Sequence, residues 1–399
     1  MNRREFQLLL YCARSQPDAG AISGLVNEGV NWQTLLKLAQ QHTVRPMLLK
    51  SLKSVCWDAV PQTTQLELER FNRANVQKNL RFTGELLRLL GEFQQNGIPI
   101  AAFKGAILAD LVYGDLSLRE FADLDVIIPE ADVCKAEDIL TARGYEADFP
   151  DRDYRSAFLS YHGQYKFRLG PTGISLDLHW RLSGKGIAFP LQPAEIWPRL
   201  KQVAIAGRTV PTLAHDDLAL FLAAHGTKEG WRRLIWVCDF AELLRKYQDI
   251  DWVTLLERAQ RSHSSRPLLL AIALASTLLD APAPVELVHK ARDNSAIRAL
   301  AEQAQRRMLR TSPDGEIMLR TSPDGELGEF LHSLNTHDQF RHRLWPIATL
   351  LTTRTVGDHL AMPLPKSLWG IYYLTRPFRL ASKAAEMILS NKYFSVVNV

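Results

Sequence analysis

The sequence has few cysteines, and they are too far apart to form a recognisable site. Cys12, Cys56, Cys134 and Cys238 are the four cysteines among 399 residues, and no two of them form a CxxC pair. This spacing provides neither the paired thiolates of a zinc site nor the framework of a disulfide-stabilised secreted protein. We therefore expect a protein of the reducing cytoplasm.

The sequence also lacks a hydrophobic run long enough to cross a bilayer. The longest run, PLLLAIALASTLL at 267–279, has about 13 residues, whereas a transmembrane helix needs about 20. Near the N-terminus, Glu5 and Gln7 interrupt a short apolar stretch, so no signal peptide is predicted. We expect no transmembrane segment.

The excess of positive charge is small. The formal net charge is +5, and the basic residues are dispersed along the chain. Such a balance is compatible with an anionic substrate or a membrane surface but does not indicate nucleic-acid binding. A composition of 46% hydrophobic and 23% charged residues is typical of a globular protein with a buried core.

Hydrophobic periodicity predicts helical regions on both sides of a small α/β segment. Apolar residues at helical spacing occur throughout the N-terminal region 1–75 and the domain 211–305. Residues 76–210 between them contain alternating short apolar strands and helices. The predicted strands are 98–103, 124–128, 164–169 and 174–180, and the predicted helices are 106–113 and 131–143. Residues 170–173, GPTG, predict a hairpin turn. The fold class is therefore α+β, with a small mixed sheet flanked by helical regions.

Two features follow the second helical domain. The segment 308–317, MLRTSPDGEI, is repeated at 318–327 with only the last residue changed. Two short copies cannot form a solenoid, and Ser-Pro-Asp-Gly favours turns, so 306–330 is predicted to be a duplicated loop. In the C-terminal helical and basic tail, 331–399, aromatic residues are mixed with Arg376 and Arg379. This pattern fits either peripheral membrane contact or a helix packed on the protein.

Three aspartates are predicted to converge on one face of the sheet. Because side chains alternate along a strand, Asp123 and Asp125 share one face while Leu124 and Val126 point into the core. The same alternation in ISLDLHW exposes Asp177, on a strand that can pair beside the first. Carboxylate oxygens without thiolates suit Mg²⁺ or Mn²⁺, and two such ions can clamp the oxygens of a phosphoryl transfer.

A pair of aspartates alone is a weak signal, and its alternative explanation is a solvated strand edge. The specificity rises because a strand ends in Lys104 and Gly105, where glycine allows backbone N–H groups to approach a phosphate and lysine supplies positive charge. Arg119 lies four residues before Asp123. Together these residues indicate a phosphate-binding metal site.

These motifs resemble a known family. The quoted stretches are FKG at 103–105, Tyr113, Arg119, DLDVII at 123–128, DLHW at 177–180 and HGTKEGWRRLIWVCDFAELL at 225–244. They are similar to the uncharacterised nucleotidyltransferase family of the DNA polymerase beta-like nucleotidyltransferase superfamily. The Lys-Gly pair, in place of the usual Gly-Ser, also resembles nucleotidyltransferase toxins of bacterial abortive-infection systems. The resemblance covers roughly 75–280.

The resemblance implies roles for individual residues. Asp123 and Asp125 correspond to the paired metal ligands, and Asp177 to the third carboxylate, which helps to activate the attacking hydroxyl. The implied nucleotide-binding residues are Lys104, Gly105 and Arg119 on the phosphate side, with His225 and Lys228 from the helical domain. His225, Trp231 and His179 have an alternative explanation as core residues.

Two functions follow from this reading. The first is an enzyme that moves an NMP from a Mg²⁺-bound or Mn²⁺-bound NTP, ATP in our expectation, to a hydroxyl of an unknown protein, metabolite or saccharide. The second is a catalytically inactive nucleotide-binding or scaffold protein. Three converging carboxylates favour the enzyme, because a scaffold has no need to keep like charges together.

Overall fold

A computed structural model describes residues 3–148, 159, 162–183, 189–309 and 356–382 of the protein. Its helices are α1 (Arg3–Cys12), α2 (Ala19–Asn27), α3 (Trp32–Gln41), α4 (Arg45–Val55), α5 (Gln62–Gln95), α6 (Gly105–Leu108), α7 (Val133–Ala142), α8 (Pro193–Ile196), α9 (His215–Lys228), α10 (Leu234–Lys246), α11 (Trp252–Arg261), α12 (Ser265–Leu279), α13 (Val285–Asp293), α14 (Ser295–Met308) and α15 (Val356–Ala361). Its strands are β1 (Ala101–Ala102), β2 (Asp123–Ile127), β3 (Tyr145–Ala147), β4 (Gln164–Leu169), β5 (Ile174–His179), β6 (Lys201–Ile205) and β7 (Arg208–Thr212).

Five of the strands form one mixed sheet in the order β1-β2-β5-β4-β3. Strands β2 and β5 are parallel, and the other neighbours are antiparallel. This confirms the predicted α+β class with a small mixed sheet. The predicted hairpin is also confirmed, because β4 and β5 are joined by a tight turn that ends at Gly173, with φ +66°. Strand β3 and the separate β6–β7 hairpin were not predicted.

Strand β1 is shorter than the sequence pattern indicates. Only Ala101 and Ala102 pair with β2, and the predicted strand 98–103 therefore extends beyond the ladder at both ends. Helix α6 begins at Gly105 and continues as a π-helical turn, Ala109–Tyr113. The apolar residues outside the ladder are still buried, which explains why a hydrophobic pattern alone overestimates the strand.

Both faces of the sheet are covered. On one face Leu124, Val126 and Leu176 pack against Phe82 of α5 and other apolar residues. On the opposite face Ile127 and Phe103 join the core of the helical region, and the Phe103 and Phe221 rings lie 5.1 Å apart. Helices therefore cover the sheet face that carries the aspartates, which is not open to solvent.

His42 links distant parts of the helical region. Its Nδ1 accepts a hydrogen bond from the Leu234 N–H at 3.2 Å, and its Nε2 lies 3.1 Å from the Met308 carbonyl oxygen. A carbonyl only accepts, so Nε2 carries the hydrogen. Burial lowers the pKa of His42 to about 4, which keeps the ring neutral. His42 thereby joins helices α3, α10 and α14.

Helix α5 runs unbroken through residue 75, the predicted end of the N-terminal region.

The duplicated segment 308–327 lies outside the described residues apart from its first two positions. In the described part of the tail, Arg376 and Arg379 both form ion pairs with Asp358. The single Asp358 carboxylate therefore balances the charge of one guanidinium group, and membrane contact by the tail stays a prediction. Within the described residues no helix has the length and apolar character that spanning a membrane requires.

Candidate active site

The pairing of β2 with β5 brings the aspartates together. In this parallel register Asp125 lies directly beside Asp177, and Asp123 lies beside Ser175. Side chains alternate along each strand, so the three carboxylates project from the same face. The structure thus confirms that the strand bearing Asp177 pairs beside the strand bearing Asp123 and Asp125.

Asp125 is the best neutralised of the three. Its Oδ1 accepts a hydrogen bond from Lys104 Nζ at 3.0 Å and lies 3.2 Å from His179 Nε2. Burial raises the pKa of Asp125, but the Lys104 ammonium and His179 outweigh burial and hold that pKa well below its ordinary value. Asp125 is therefore ionised, with Lys104 as its counter-ion.

The ionised forms of Asp123 and Asp177 are less well stabilised than that of Asp125. Burial, followed by repulsion from Asp125, raises the pKa of Asp123 to about 6. The same two causes raise the pKa of Asp177. Asp177 Oδ2 accepts a hydrogen bond from Gln164 Nε2 at 3.2 Å, while the buried Oδ1 has no hydrogen-bond partner among the described residues. In both residues burial destabilises the ionised carboxylate by more than the neighbouring cations stabilise it.

A group of three side chains has the geometry to hold a metal ion. Asp125, Asp177 and His179 each offer one ligand atom, and these atoms lie within 4.8 Å of one another. Asp123 adjoins this group without belonging to it. His179 was not among the predicted ligands, although its position two residues after Asp177 places it on the same strand face. The buried His179 Nδ1 also has no hydrogen-bond partner in the described ranges.

Gly105 occupies a position that requires glycine. Its φ is +54°, and a Cβ there would lie 3.2 Å from the Asp123 carbonyl oxygen and 3.6 Å from the Phe121 ring. The turn from Lys104 into α6 can therefore pack closely against β2. From this turn the Lys104 ammonium contacts Asp125, whereas the sequence pattern predicts that it faces phosphate.

Arg119 forms a buried ion pair across the structure. Its Nε and Nη2 donate to the two carboxylate oxygens of Asp239 on α10, at 2.9 and 2.8 Å. The Tyr113 hydroxyl donates to the same carboxylate at 2.8 Å. Asn79 Nδ2, on α5, donates a hydrogen bond to the backbone carbonyl oxygen of Arg119 at 2.8 Å. The guanidinium group, predicted to contact phosphate, thus joins the sheet segment to the helical region.

The end of α9 presents His225 and Lys228 to the same space. The His225 ring stacks on Phe221 at 5.6 Å and meets the edge of Trp236 at 5.9 Å. Burial, together with Lys104, holds the pKa of His225 well below its ordinary value, so the ring is neutral. Lys228 is exposed.

Trp231 has a supporting role in the connection between α9 and α10. Its ring is fully buried, its Nε1 donates to Thr227 Oγ1 at 3.1 Å, and its φ is +50°. Gly226 makes room for the ring, because a Cβ at that position would come within 2.5 Å of it. Trp231 therefore shapes a tight turn, and the core explanation is the correct one for this residue.

All predicted site residues line one cavity of about 620 Å³ between the sheet and the helical region. They are Lys104, Gly105, Arg119, Asp123, Asp125, Asp177, His225 and Lys228. Ligand pockets for small molecules measure roughly 300–1,000 Å³, so the cavity has room for a nucleotide. Its lining includes the three strand carboxylates and several basic side chains.

Comparison with known proteins agrees with this arrangement. The sequence model of a family described as uncharacterised nucleotidyltransferases matches residues 28–280. The match extends into both helical regions that flank the sheet, and it contains every residue that lines the cavity. A search of curated proteins gave no match.

Proposed function

Because the chain belongs to this nucleotidyltransferase family, we propose that it moves a nucleoside monophosphate from an NTP to an acceptor hydroxyl. One observation carries the proposal. The parallel register of β2 and β5 sets Asp125 beside Asp177 at the floor of a cavity large enough for a nucleotide. We propose ATP as the donor, and a protein, metabolite or saccharide as the acceptor.

We assign a divalent cation, Mg²⁺ or Mn²⁺, to Asp125, Asp177 and His179, with Asp123 as a further ligand from the same strand. The carboxylates support this, since carboxylate oxygens suit both ions, whereas the imidazole of His179 is a softer nitrogen ligand that Mn²⁺ accepts more readily than Mg²⁺. Two buried polar atoms without a hydrogen-bond partner among the described residues, Asp177 Oδ1 and His179 Nδ1, also support it. When bound, such an ion neutralises charge on the phosphate oxygens and favours ionisation of the attacking hydroxyl.

The chain's own residues have separate tasks in this reaction. Asp177 Oδ1 accepts the proton of the acceptor hydroxyl, whose oxygen forms a bond to the α-phosphorus while the bond to the β-phosphate oxygen breaks and pyrophosphate leaves. Lys104 balances the charge of Asp125. The neutral His225 ring and the exposed Lys228 contact the nucleotide, and Gly105 keeps the backbone close to it.

Radiolabel transfer tests the proposal directly. Purified protein is incubated with each α-labelled NTP, Mg²⁺ or Mn²⁺, and a cell lysate, and labelled products are separated. We expect metal-dependent labelling of a discrete acceptor from ATP, lost in Asp177→Asn. Absence of labelling from all four NTPs with both metals, by a protein that is folded, would contradict the proposal.

One observation favours the alternative of an inactive nucleotide-binding protein. Lys104 already neutralises Asp125, as a cation would in a site that no longer binds metal. An inactive protein would bind nucleotide without transferring label, and its affinity would not depend on divalent metal. Equilibrium binding of ATP with Mg²⁺ and with EDTA therefore separates the two functions.

A further inference from the structure

The basic side chains of the cavity differ in how they are neutralised. Most of them pair with a carboxylate oxygen within 4.0 Å: Arg45 with Glu120, Lys104 with Asp125, Arg119 with Asp239, Lys166 with Asp177 and Arg232 with Glu229. Lys228 also lines the cavity, but it is exposed and therefore solvated. These cations need no ligand to balance their charge.

Lys78 and Arg233 are the exceptions. Both line the cavity and both are partly buried, yet within the described part of the chain neither has a carboxylate oxygen within 4.0 Å. Lys78 Nζ lies 5.9 Å from the Phe121 ring centre, and the Arg233 guanidinium lies 5.7 Å from that of Trp236. Burying a cation without a counter-ion is costly, so these two positions are suited to an anion that the protein does not itself supply.

The Arg233 side chain takes no part in capping the N-terminus of α10, since a guanidinium group cannot accept a hydrogen bond from a helix amide. Arg233 immediately precedes α10, but its side chain makes no capping hydrogen bond. The first amide of that helix, Leu234 N–H, donates to His42 Nδ1 instead. The guanidinium group is therefore available to the cavity.

Lys78 and Arg233 act on the same part of the cavity. They come from separate elements, α5 and the connection before α10. Burial is the main cause that lowers the pKa of each, and carboxylates only partly oppose it: Glu120 and Asp123 at Lys78, and Glu229, Asp123 and Glu120 at Arg233. An anion that contacts both cations therefore lies in the cavity that Asp123 also lines.

We propose that Lys78 and Arg233 bind the β- and γ-phosphates of the donor nucleotide and hold the pyrophosphate as it leaves. The inference rests on the proposed function. It also revises the phosphate side of the site, because Lys104 and Arg119 are engaged by Asp125 and Asp239. Two cations on different elements suit a polyphosphate, which carries several negative charges along an extended group.

The test compares ligands with and without the terminal phosphates. The variants are Lys78→Met and Arg233→Met, and the matched control is Arg81→Met, an exposed cation on α5 that does not line the cavity. Calorimetry with Mg²⁺ measures the binding of adenosine, AMP, ATP and inorganic tripolyphosphate. Each cavity variant should bind ATP and tripolyphosphate about 10-fold to 100-fold more weakly, the range for charge-assisted hydrogen bonds, and bind adenosine and AMP unchanged.

Thermal melting without ligand distinguishes a ligand-binding role of Lys78 and Arg233 from a role in stabilising the fold. Removing an unpaired buried cation should leave the melting temperature equal or higher, whereas a structural role predicts a lower one. If wild-type protein transfers label from an NTP and binds tripolyphosphate, but both variants bind as tightly as Arg81→Met, the inference is wrong and the proposed function stands. If the cavity variants lose as much affinity for adenosine as for ATP, the inference is also overturned. If wild type binds neither ATP nor tripolyphosphate, both proposals fail.

Discussion

Two charged groups line the same cavity and are built in opposite ways. The first group, the strand carboxylates, consists of Asp123, Asp125 and Asp177. The second is the Arg119–Asp239 pair. In the pair, both carboxylate oxygens accept hydrogen bonds from one guanidinium, and Tyr113 adds a third. Among the strand carboxylates only Asp125 accepts a hydrogen bond from a lysine, and the pKa values of the other two are raised.

The difference separates a structural element from a site that needs a ligand. A buried pair in which two parallel hydrogen bonds join the guanidinium to the carboxylate fixes the two segments that carry it. Converging carboxylates with a raised pKa are held against their mutual repulsion, which is useful only when a cation arrives. The contrast explains why residues of similar charge in one cavity are expected to respond differently to substitution.

The largest effect is expected at the pair. Asp239→Ala leaves the Arg119 guanidinium buried without a counter-ion and should lower the free energy of unfolding by about 3–5 kcal/mol. Denaturant unfolding measures this change. The exposed Asp249→Ala variant serves as a control and should change stability by at most about 0.5 kcal/mol. Adding Arg119→Met to Asp239→Ala should restore part of the loss, and a double variant no better than the single one would contradict a direct pairing.

Substitution within the strand carboxylates should affect transfer first. Asp177→Asn removes a metal ligand and the proposed proton acceptor, so the rate of label transfer should fall by on the order of 10²-fold or more. Circular dichroism should show an unchanged fold. Transfer at the wild-type rate by Asp177→Asn would remove this residue from the mechanism.

The pH dependence of stability should reveal the strain on Asp123. Its folded pKa, about 6, exceeds the ordinary value of 3.8, so the folded state binds a proton more tightly and loses stability as pH rises from about 4 to about 6. Asp123→Asn cannot titrate. With EDTA present, the variant should therefore gain stability relative to wild type across this window, by about 3 kcal/mol at pH 7. A variant less stable than wild type at pH 7 would indicate a structural role instead.

The smallest effect is expected at the duplication, which belongs to neither charged group. Deleting 318–327 should leave the melting temperature and transfer nearly unchanged, because halving the length of a flexible loop alters its closure free energy by only about 0.6 kcal/mol. Differential scanning calorimetry and the transfer assay check this. A collapse in soluble yield would show that the repeated segment packs on the protein.

The strand carboxylates could be anticipated from the sequence because the determining pattern is local. The period of two in DLDVII and ISLDLHW is sufficient to place Asp123, Asp125 and Asp177 on one face, and the parallel register of β2 and β5 then joins them. His179 obeys the same rule and was open to the same argument. The α+β class followed similarly from alternating periodicities.

The partners of the basic residues could not be anticipated, because they are distant in sequence. Asp239 lies 120 positions after Arg119, and no periodicity relates a loop to the helix α10. Lys78 is one polar residue among many on α5, and only the folded structure shows that it reaches the cavity without a counter-ion. Strand β3 was missed because it has three residues, and the β6–β7 hairpin was missed because only Ile205, Val210 and Thr212 of its strands are buried.

The most direct test of the central claim is the effect of Mn²⁺ on thermal stability. Wild type and Asp177→Asn are melted with EDTA and with Mn²⁺ plus ATP. If the strand carboxylates are kept for a cation, Asp177→Asn melts at the same or a higher temperature than wild type in EDTA, and only wild type is stabilised by Mn²⁺ and ATP. A variant that melts lower in EDTA, and still gains as much from Mn²⁺ and ATP as wild type, would contradict the account.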